Sequence, residues 1–465
     1  MNSNTDYYRD IAEHFMHLSF EELTDVTLQQ VERSLINYAG ASAFTAYEGC
    51  CDAMLDLIKN LNPAGSGKAG IWADSGSYSP LTAAFANAVR LSSLEHNDST
   101  RGSAHPGIYV WSAILATYEQ YGASIPDLVR AVVFGYEAST RMALLAIEKV
   151  RELGLHPPGF VGALAVTSAA GLLRGLDMDQ LLNAFGIAAS LLPVCPFVSF
   201  VEGSDSKDLY GGWGAYLGLF AVEAASRGLT GPHTVLGGMK SLDSIFSGRE
   251  GKDIPLGQPY FIDQLNIKEY AACFAVNPAV KTALALRQAH SIDYRDIESV
   301  LVDVYPYAYD LNEGVGRSYN TTSVRLSLYY TVAYALIEGA LPPRAFLEDT
   351  IRDPKYRELQ DRISTRRHDA YGEGPAGVRG CILEIRLKDG TALCGETDAA
   401  QSKCMMTDEL MREKFDQLTA GALSPDLAAK LYALASDLRE EDRDLAELTQ
   451  ILREIRPVKK IGSCP

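Results

Sequence analysis

Five polar islands interrupt an otherwise apolar sequence. The first runs from Asp98 through Ser99 and Arg101 to His105. The second is His156, just ahead of two prolines. The third places Lys207 and Tyr210 in a Gly-rich stretch. The fourth is Lys268, Glu269 and Tyr270, running into Cys273. The fifth runs from Arg325 to Tyr330. Taken singly, each has an ordinary explanation. A His beside Pro is commonly a turn or core residue, and a Lys near glycines is commonly solvated. A Tyr on an apolar helix is commonly core, and a lone Cys is commonly a small buried hydrophobe. Taken together they supply two His, two Lys, an Arg and a Tyr, without metal-ligand spacing. Cations bind carboxylates and stabilise negative charge that develops beside them. Imidazole moves protons near neutral pH. The set suits proton abstraction next to a carboxylate, followed by elimination, decarboxylation or reprotonation. Such a C–H is very weakly acidic, so the step needs both buried cations and a well-placed base.

The stretch FANAVRLSSLEHNDSTRGSAHPG, residues 85–107, organises the rest. A small-residue helix over 81–94 leads into a short polar loop, Glu95 to Arg101. A second apolar helix begins after His105 and Pro106. A loop held between two rigid helices is a good place for chemistry; a solvated connection is the plain alternative. Upstream, helical spacing predicts a helix to about Ala39, ended by Gly40, and another over 52–61. The NPAGSGK run at 62–68 lacks the leading Gly of a P-loop and carries Ala69 where Ser or Thr would bind magnesium, so it reads as a turn. Downstream, helices are predicted over 126–149, 162–173, 177–192 and 213–227. Glu137 and Arg141 are spaced i,i+4 and can pair. Asp177 suits an N-cap, and Gly228 a helix end. Helices this apolar pack on one another as a bundle.

The period changes after Ser291. Val300, Val302 and Val304 alternate, as do Leu383, Ile385 and Leu387, which run into an Asp389–Gly390 hairpin turn. A helix lies between, over 327–338. Helices return over 408–418, from Ser424–Pro425, and over 445–455. The expectation is a mainly α protein: a large all-helical domain over 1–269 and 402–465, with a smaller α+β domain inserted over 270–401.

At 465 residues the chain exceeds one ordinary core. With 47% hydrophobic and 22% charged residues it has a globular composition. A net charge of −17 argues against nucleic acid and anionic membranes as partners. The cysteines are Cys50, Cys51, Cys195, Cys273, Cys381, Cys394, Cys404 and Cys464. None has CxxC spacing, which argues against a zinc or iron–sulfur framework. Their low density fits a reducing, cytoplasmic compartment. The N-terminus has no apolar signal segment, and no apolar run reaches membrane-spanning length.

Order and spacing of these motifs together resemble the MmgE/PrpD family, which includes 2-methylcitrate dehydratase, cis-aconitate decarboxylase and iminodisuccinate epimerase. The resemblance rests on Ala83 to Asn87 with the loop to His105–Pro106, and on Gly135, Tyr136, Glu137 and Arg141. It also rests on the His156 loop before Gly162, and on Lys207 to Gly211 before Trp213. Gly228 to Pro232, Lys268 to Tyr270, Leu326 to Tyr330, and Leu387 to Gly390 before the Glu413 helix complete it. It implies a lid role for the smaller domain, a homodimer, catalysis without metal or cofactor, and a small polycarboxylate substrate. It places Asp98, Ser99, His105, His156, Lys207, Lys268 and Tyr330 in the pocket, with Arg101, Tyr210 and Cys273 beside them. Lys207 and Lys268 would hold carboxylates. His105 would be the general base or acid, and Tyr330 or His156 would handle the other proton.

The chain departs from the family pattern at several points. Ser92 replaces a His, Glu95 lengthens an acid and Asn97 replaces another. Tyr210 stands where His is frequent after the first Lys. Cys273 stands where the decarboxylases have His after the second Lys, and Asn277 where many members have a later His. Fewer ionisable groups favour dehydration of 2-methylcitrate or an alkylcitrate. Decarboxylation of cis-aconitate, epimerisation of an iminodisuccinate-type diacid, and a drifted binding protein are the alternatives.

Overall fold

The computed structural model describes residues 7–246, 253–317, 320–371, 379–398, 406–439 and 444–458. Cys404, Cys464 and the expected 401/402 domain boundary lie outside the described residues. The helices of the first half are α1 (Tyr7–His17), α2 (Asp25–Tyr47), α3 (Asp52–Leu61), α4 (Pro80–Leu94) and α5 (Pro106–Tyr121). They continue as α6 (Ile125–Glu152), α7 (Pro157–Leu173), α8 (Met178–Ser190), the short α9 (Val198–Val201) and α10 (Ser206–Ser226). Next come α11 (Asn277–His290), α12 (Pro306–Val315), α13 (Leu328–Glu338), α14 (Glu348–Ile351) and α15 (Pro354–Gln360). The last are α16 (Asp408–Thr419), α17 (Pro425–Ala435) and α18 (Ala446–Glu454). The chain divides into two compact units. One comprises Met1–Pro196, Asp208–Ile267 and Thr407–Pro465; the other comprises Phe197–Lys207 and Lys268–Met406.

The first unit is helical. Helices start where short polar side chains meet orphan N–H groups: Thr24, Ser79, Ser124, Asp177, Thr407 and Ser424 each cap the helix that follows. The central helices are apolar all round. Every residue of α5 from Pro106 to Thr117 is buried, as is every residue of α7 from Pro157 to Gly171, so these two form the middle of the core. Gly40 does not end α2, as the sequence had led us to expect; the helix runs on to Tyr47. A side chain at residue 40 would meet Phe415 and Leu418 of α16 at 3.2 Å. This glycine is there for close helix packing rather than for a cap. Two strand pairs decorate the unit. β1 (Ala69–Gly70) pairs β2 (Ser77–Tyr78), and β3 (Asp98–Ser99) pairs β4 (Asn266–Ile267), both antiparallel.

The second unit is α+β. Its sheet runs in the order β6 (Ile363–Arg367), β5 (Ile297–Val304), β7 (Cys381–Leu387), β8 (Ala392–Thr397). β5 lies parallel to β6 and antiparallel to β7, with Val300 opposite Ile363 and Ile385. Val300, Val302 and Val304 are buried, as the period-2 pattern requires. The β7–β8 hairpin turns at Asp389–Gly390, as expected. Strand β6 is the parallel partner that the sequence pattern did not reveal. Among the described residues no disulfide forms, no cluster has metal-ligand geometry, and no helix is long and apolar enough to cross a membrane.

Candidate active site

The polar loop after α4 is not a solvated connection. Glu95, His96, Asn97, Asp98 and Thr100 are all buried, and β3 pins Asp98 opposite Ile267. The Asp98 side chain is fully buried and accepts four hydrogen bonds. Tyr38 Oη (2.8 Å) and the Gly107 N–H (3.3 Å) reach Oδ1. Tyr136 Oη, in a short contact, and Ser34 Oγ (3.3 Å) reach Oδ2. Ser34 in turn accepts from Trp111 Nε1 at 2.8 Å. Indole can only donate, so this chain of donors runs toward the carboxyl group and favours its ionised form. Burial opposes it: Asp98 is pushed above the usual carboxylate range, with Tyr136, Tyr38, Gly107 and Ser34 pulling it back.

The sign of this effect gives a prediction. A carboxyl raised in the folded state contributes its stability in the protonated form, fully below the unfolded Asp value of about 4. That contribution is lost as pH rises through the raised value. Asp98→Asn should therefore gain stability relative to the parent chain between pH 4 and pH 8. The urea midpoints of the two chains, compared at both pH values, check this. A gap that is constant with pH would contradict it.

His105 sits at the mouth of α5, with Pro106 as its first helical residue. His156 occupies the same position on α7, ahead of Pro157 and Pro158. The residue before a proline is kept out of the helical region, so both imidazoles stand at the helix head rather than in the first turn. His105 Nδ1 lies 2.6 Å from the backbone oxygen of Asp98. A carbonyl can only accept. Nδ1 therefore carries the proton, and Nε2 is the acceptor nitrogen. The two histidines belong to the same end of the bundle. Tyr109, one turn beyond His105, packs where a side chain at Gly162 of α7 would otherwise lie, 2.9 Å from the Tyr109 ring. Tyr210 joins them: its ring centroid is 5.8 Å from that of His156, and its hydroxyl donates to Pro196 O at 2.9 Å. The His156 N–H donates to Cys195 O at 2.8 Å.

The second unit holds both lysines. Lys207 is in the first turn of α10, not in a glycine loop as the sequence had led us to expect. The helix starts seven residues earlier than the periodic apolar run, because Ser204 and Ser206 provide a polar turn ahead of it. Lys207 is 2% exposed, with Nζ 4.9 Å from the Phe200 ring centroid. Lys268 is 1% exposed, with Nζ 5.2 Å from the Phe274 centroid. Lysine is rarely buried this fully. A phenyl face attracts an ammonium by about 0.5–2 kcal/mol without cancelling its charge. Cys273 follows in a tight turn braced by Arg325. The Cys273 N–H donates to Arg325 O at 3.0 Å, and Arg325 Nη1 donates to Ala271 O at 2.7 Å.

Two expected site residues stand differently. Tyr330 is fully buried on α13. Its hydroxyl makes a short hydrogen bond to Ala345 O, and its ring packs among Tyr334, Phe346 and Tyr356. Burial pushes its hydroxyl far above the usual phenol range, and the reaction proposed below assigns it no step. Arg101 is exposed in a 3₁₀ turn, and Ser99 donates to Thr100 O at 3.2 Å. The residues that the sequence did not reveal are Ser34, Tyr38, Trp111 and Gly107. A side chain at 107 would meet the Tyr38 ring at 2.0 Å and the Tyr136 hydroxyl at 2.6 Å. Only glycine fits there. The Ala-His-Pro-Gly run carried that signal, but its reason is tertiary.

The profile of the MmgE/PrpD N-terminal domain matches residues 9–254, and that of the MmgE/PrpD C-terminal domain matches residues 270–440. The chain belongs to the MmgE/PrpD family. Human cis-aconitate decarboxylase is 23% identical over 470 residues, covering 96% of this chain and 95% of that protein. Mouse cis-aconitate decarboxylase is 25% identical over 394 residues, covering 80% and 78%. A cis-aconitate decarboxylase from Aspergillus terreus is 22% identical over 415 residues, covering 83% and 82%. Membership of the MmgE/PrpD family accounts for the helical unit and the α+β unit together.

Proposed function

We propose that the chain is a lyase acting on a small polycarboxylate, with proton transfer next to a carboxylate as its chemical step. The observation that carries this reading is His105. Its Nδ1 proton is committed to the Asp98 carbonyl, which makes Nε2 the basic nitrogen, and it shares one end of the bundle with His156. A base and a second titratable ring are what removal of a weakly acidic proton and protonation of a leaving group require. Lys207 and Lys268, two buried ammoniums of the second unit, are the cations we assign to the substrate carboxylates. The first outcome we propose is loss of water from a citrate-like or alkylcitrate hydroxy acid. His105 takes the proton from carbon, His156 protonates the departing hydroxide, and a carbon–carbon double bond forms.

Decarboxylation of an unsaturated tricarboxylate is the second reading. The relatives named cis-aconitate decarboxylase in mouse, human and Aspergillus favour it; Cys273, where a decarboxylase His is expected, weighs against it. Proton NMR in deuterated buffer separates the two. The purified protein is incubated with citrate, 2-methylcitrate, a longer alkylcitrate, cis-aconitate and aspartate-derived diacids. New vinyl signals from citrate, or a new allylic methyl or methylene signal from an alkylcitrate, mean elimination. Loss of a carboxylate with new methylene signals means decarboxylation. Deuterium uptake without a new skeleton means epimerisation, and silence across the panel removes the lyase reading.

With the substrate found, Lys207→Met and Lys268→Met should each lower kcat/KM about 10- to 100-fold. Each removes a charge-assisted hydrogen bond worth roughly 1.5–3 kcal/mol. Unchanged kcat/KM in both would remove the lysines from the site.

A further inference from the structure

We propose that Asp98, with the hydroxyls of Tyr136 and Tyr38 that hold it, positions and polarises His105 rather than binding substrate. Asp98 grips the head of α5 at two points. Its backbone oxygen takes the His105 Nδ1 proton at 2.6 Å, and its carboxylate takes the Gly107 N–H at 3.3 Å. His105 is therefore spanned by one residue, which is itself fixed in the β3–β4 pair opposite Ile267. The carboxylate is supported from two other helices: Ser34 and Tyr38 from α2, and Tyr136 from α6. Tyr38 closes a small ring, accepting from the Asp98 N–H at 3.2 Å while donating to Oδ1. Tyr109 of α5 is the remaining titratable group near it; its hydroxyl is engaged with Ser139 at 2.9 Å. Among the described residues no cation contacts Asp98.

Two features separate this from ordinary core polarity. A buried anion held only by neutral donors costs stability, and an apolar replacement of the same shape would commonly fold as well or better. Moreover, the hydrogen bonds from Trp111 to Ser34, and from Ser34 and Tyr136 to Asp98, draw on three helices and end on the residue whose carbonyl fixes the His105 tautomer. When the carboxyl is ionised, its negative charge beside that carbonyl strengthens the carbonyl as an acceptor. It also favours the proton-carrying form of the imidazole, as a carboxylate does from the far side of a paired histidine.

The inference rests on His105 as the proton-transfer group, so the test has one readout that needs no substrate. Diethyl pyrocarbonate attacks only the unprotonated imidazole. The modification rate of the His105 peptide, followed by mass spectrometry across pH, therefore reports the titration of that ring. Asp98→Asn is expected to move the midpoint downward by about half a unit or more, because it removes a nearby negative charge. Tyr136→Phe is expected to move it the same way by less, and it carries the test if Asp98→Asn does not fold. With an active substrate, both should lower kcat about 10- to 100-fold while KM stays within about twofold. A purely structural role would lower the melting temperature and leave the midpoint in place. An unmoved midpoint in the folded variants overturns the proposal. If no substrate on the panel turns over, the lyase reading fails and the modification midpoint still decides this one.

Discussion

Replacing His105 with Gln should leave the fold intact and lower kcat by about 10²- to 10⁴-fold, the usual contribution of a positioned general base. Gln is the informative choice. Its carboxamide N–H can still donate to the Asp98 carbonyl that His105 now engages at 2.6 Å, so the position is kept while the titratable nitrogen is lost. The proline at residue 106 and the glycine at residue 107 stay in place, so the helix head is unchanged. KM should move little, because the lysines rather than the imidazole hold the carboxylates in the proposed reaction. Turnover followed by NMR, with circular dichroism on the same sample, is sufficient. A variant that keeps more than about a tenth of its kcat would take the base role away from His105.

The largest stability effect is expected at Arg141. Its side chain and that of Glu137 are 2% and 1% exposed and 2.8 Å apart, four residues along α6. Arg141 also donates to Ile254 O and Pro255 O, both at 2.9 Å, and lies 5.4 Å from the Phe261 ring centroid. Glu137 accepts from the Phe261 N–H. The pair thus fastens the segment from Ile254 to Phe261 to the middle of α6. Burial pushes the Glu137 carboxyl up and Arg141 pulls it down; the bonds to both partners favour the ion pair. Arg141→Met strands the carboxylate and should cost about 3–5 kcal/mol, whereas Glu137→Leu with Arg141→Met together should recover most of that. In the single variant Glu137 folds best when protonated, so the loss should be larger at pH 8 than at pH 5. Urea midpoints of the parent, single and double variants decide the matter. A double variant no better than the single one would mean that the tie to residues 254 and 255 matters more than the charge.

Much of the fold was legible because apolar period is a local property. The helices over 81–94, 327–338 and 408–418, the strand faces at Val300, Val302 and Val304, and the Glu137–Arg141 pair all follow from spacing within one element. Errors came where a residue answers to a distant neighbour. Gly40 looked like a helix end because nothing local shows α16 lying against it. Lys207 looked like a loop residue because its helix starts on a polar turn that lacks apolar period. β6 was hidden because Ile363–Arg367 carries its strand character only through its pairing with β5.

The candidate site divides the same way. Sequence alone determined the chemical inventory: two histidines each ahead of proline, two lysines among glycine or aromatic neighbours, and the order that marks the family. Tertiary structure decided how deeply each of these residues is enclosed and which groups it meets. It buried Tyr330 in an aromatic cluster and turned Asp98 from a loop acid into a fully enclosed carboxyl group. It brought Tyr38 from α2 and Tyr136 from α6 onto one carboxylate, across 60 and 38 residues of chain. Hydrogen bonds over such separations leave no periodic trace in sequence, because each partner satisfies its own helix while its hydroxyl answers to another. Burial gives those contacts their weight, and burial is a property of the packed bundle rather than of any one segment.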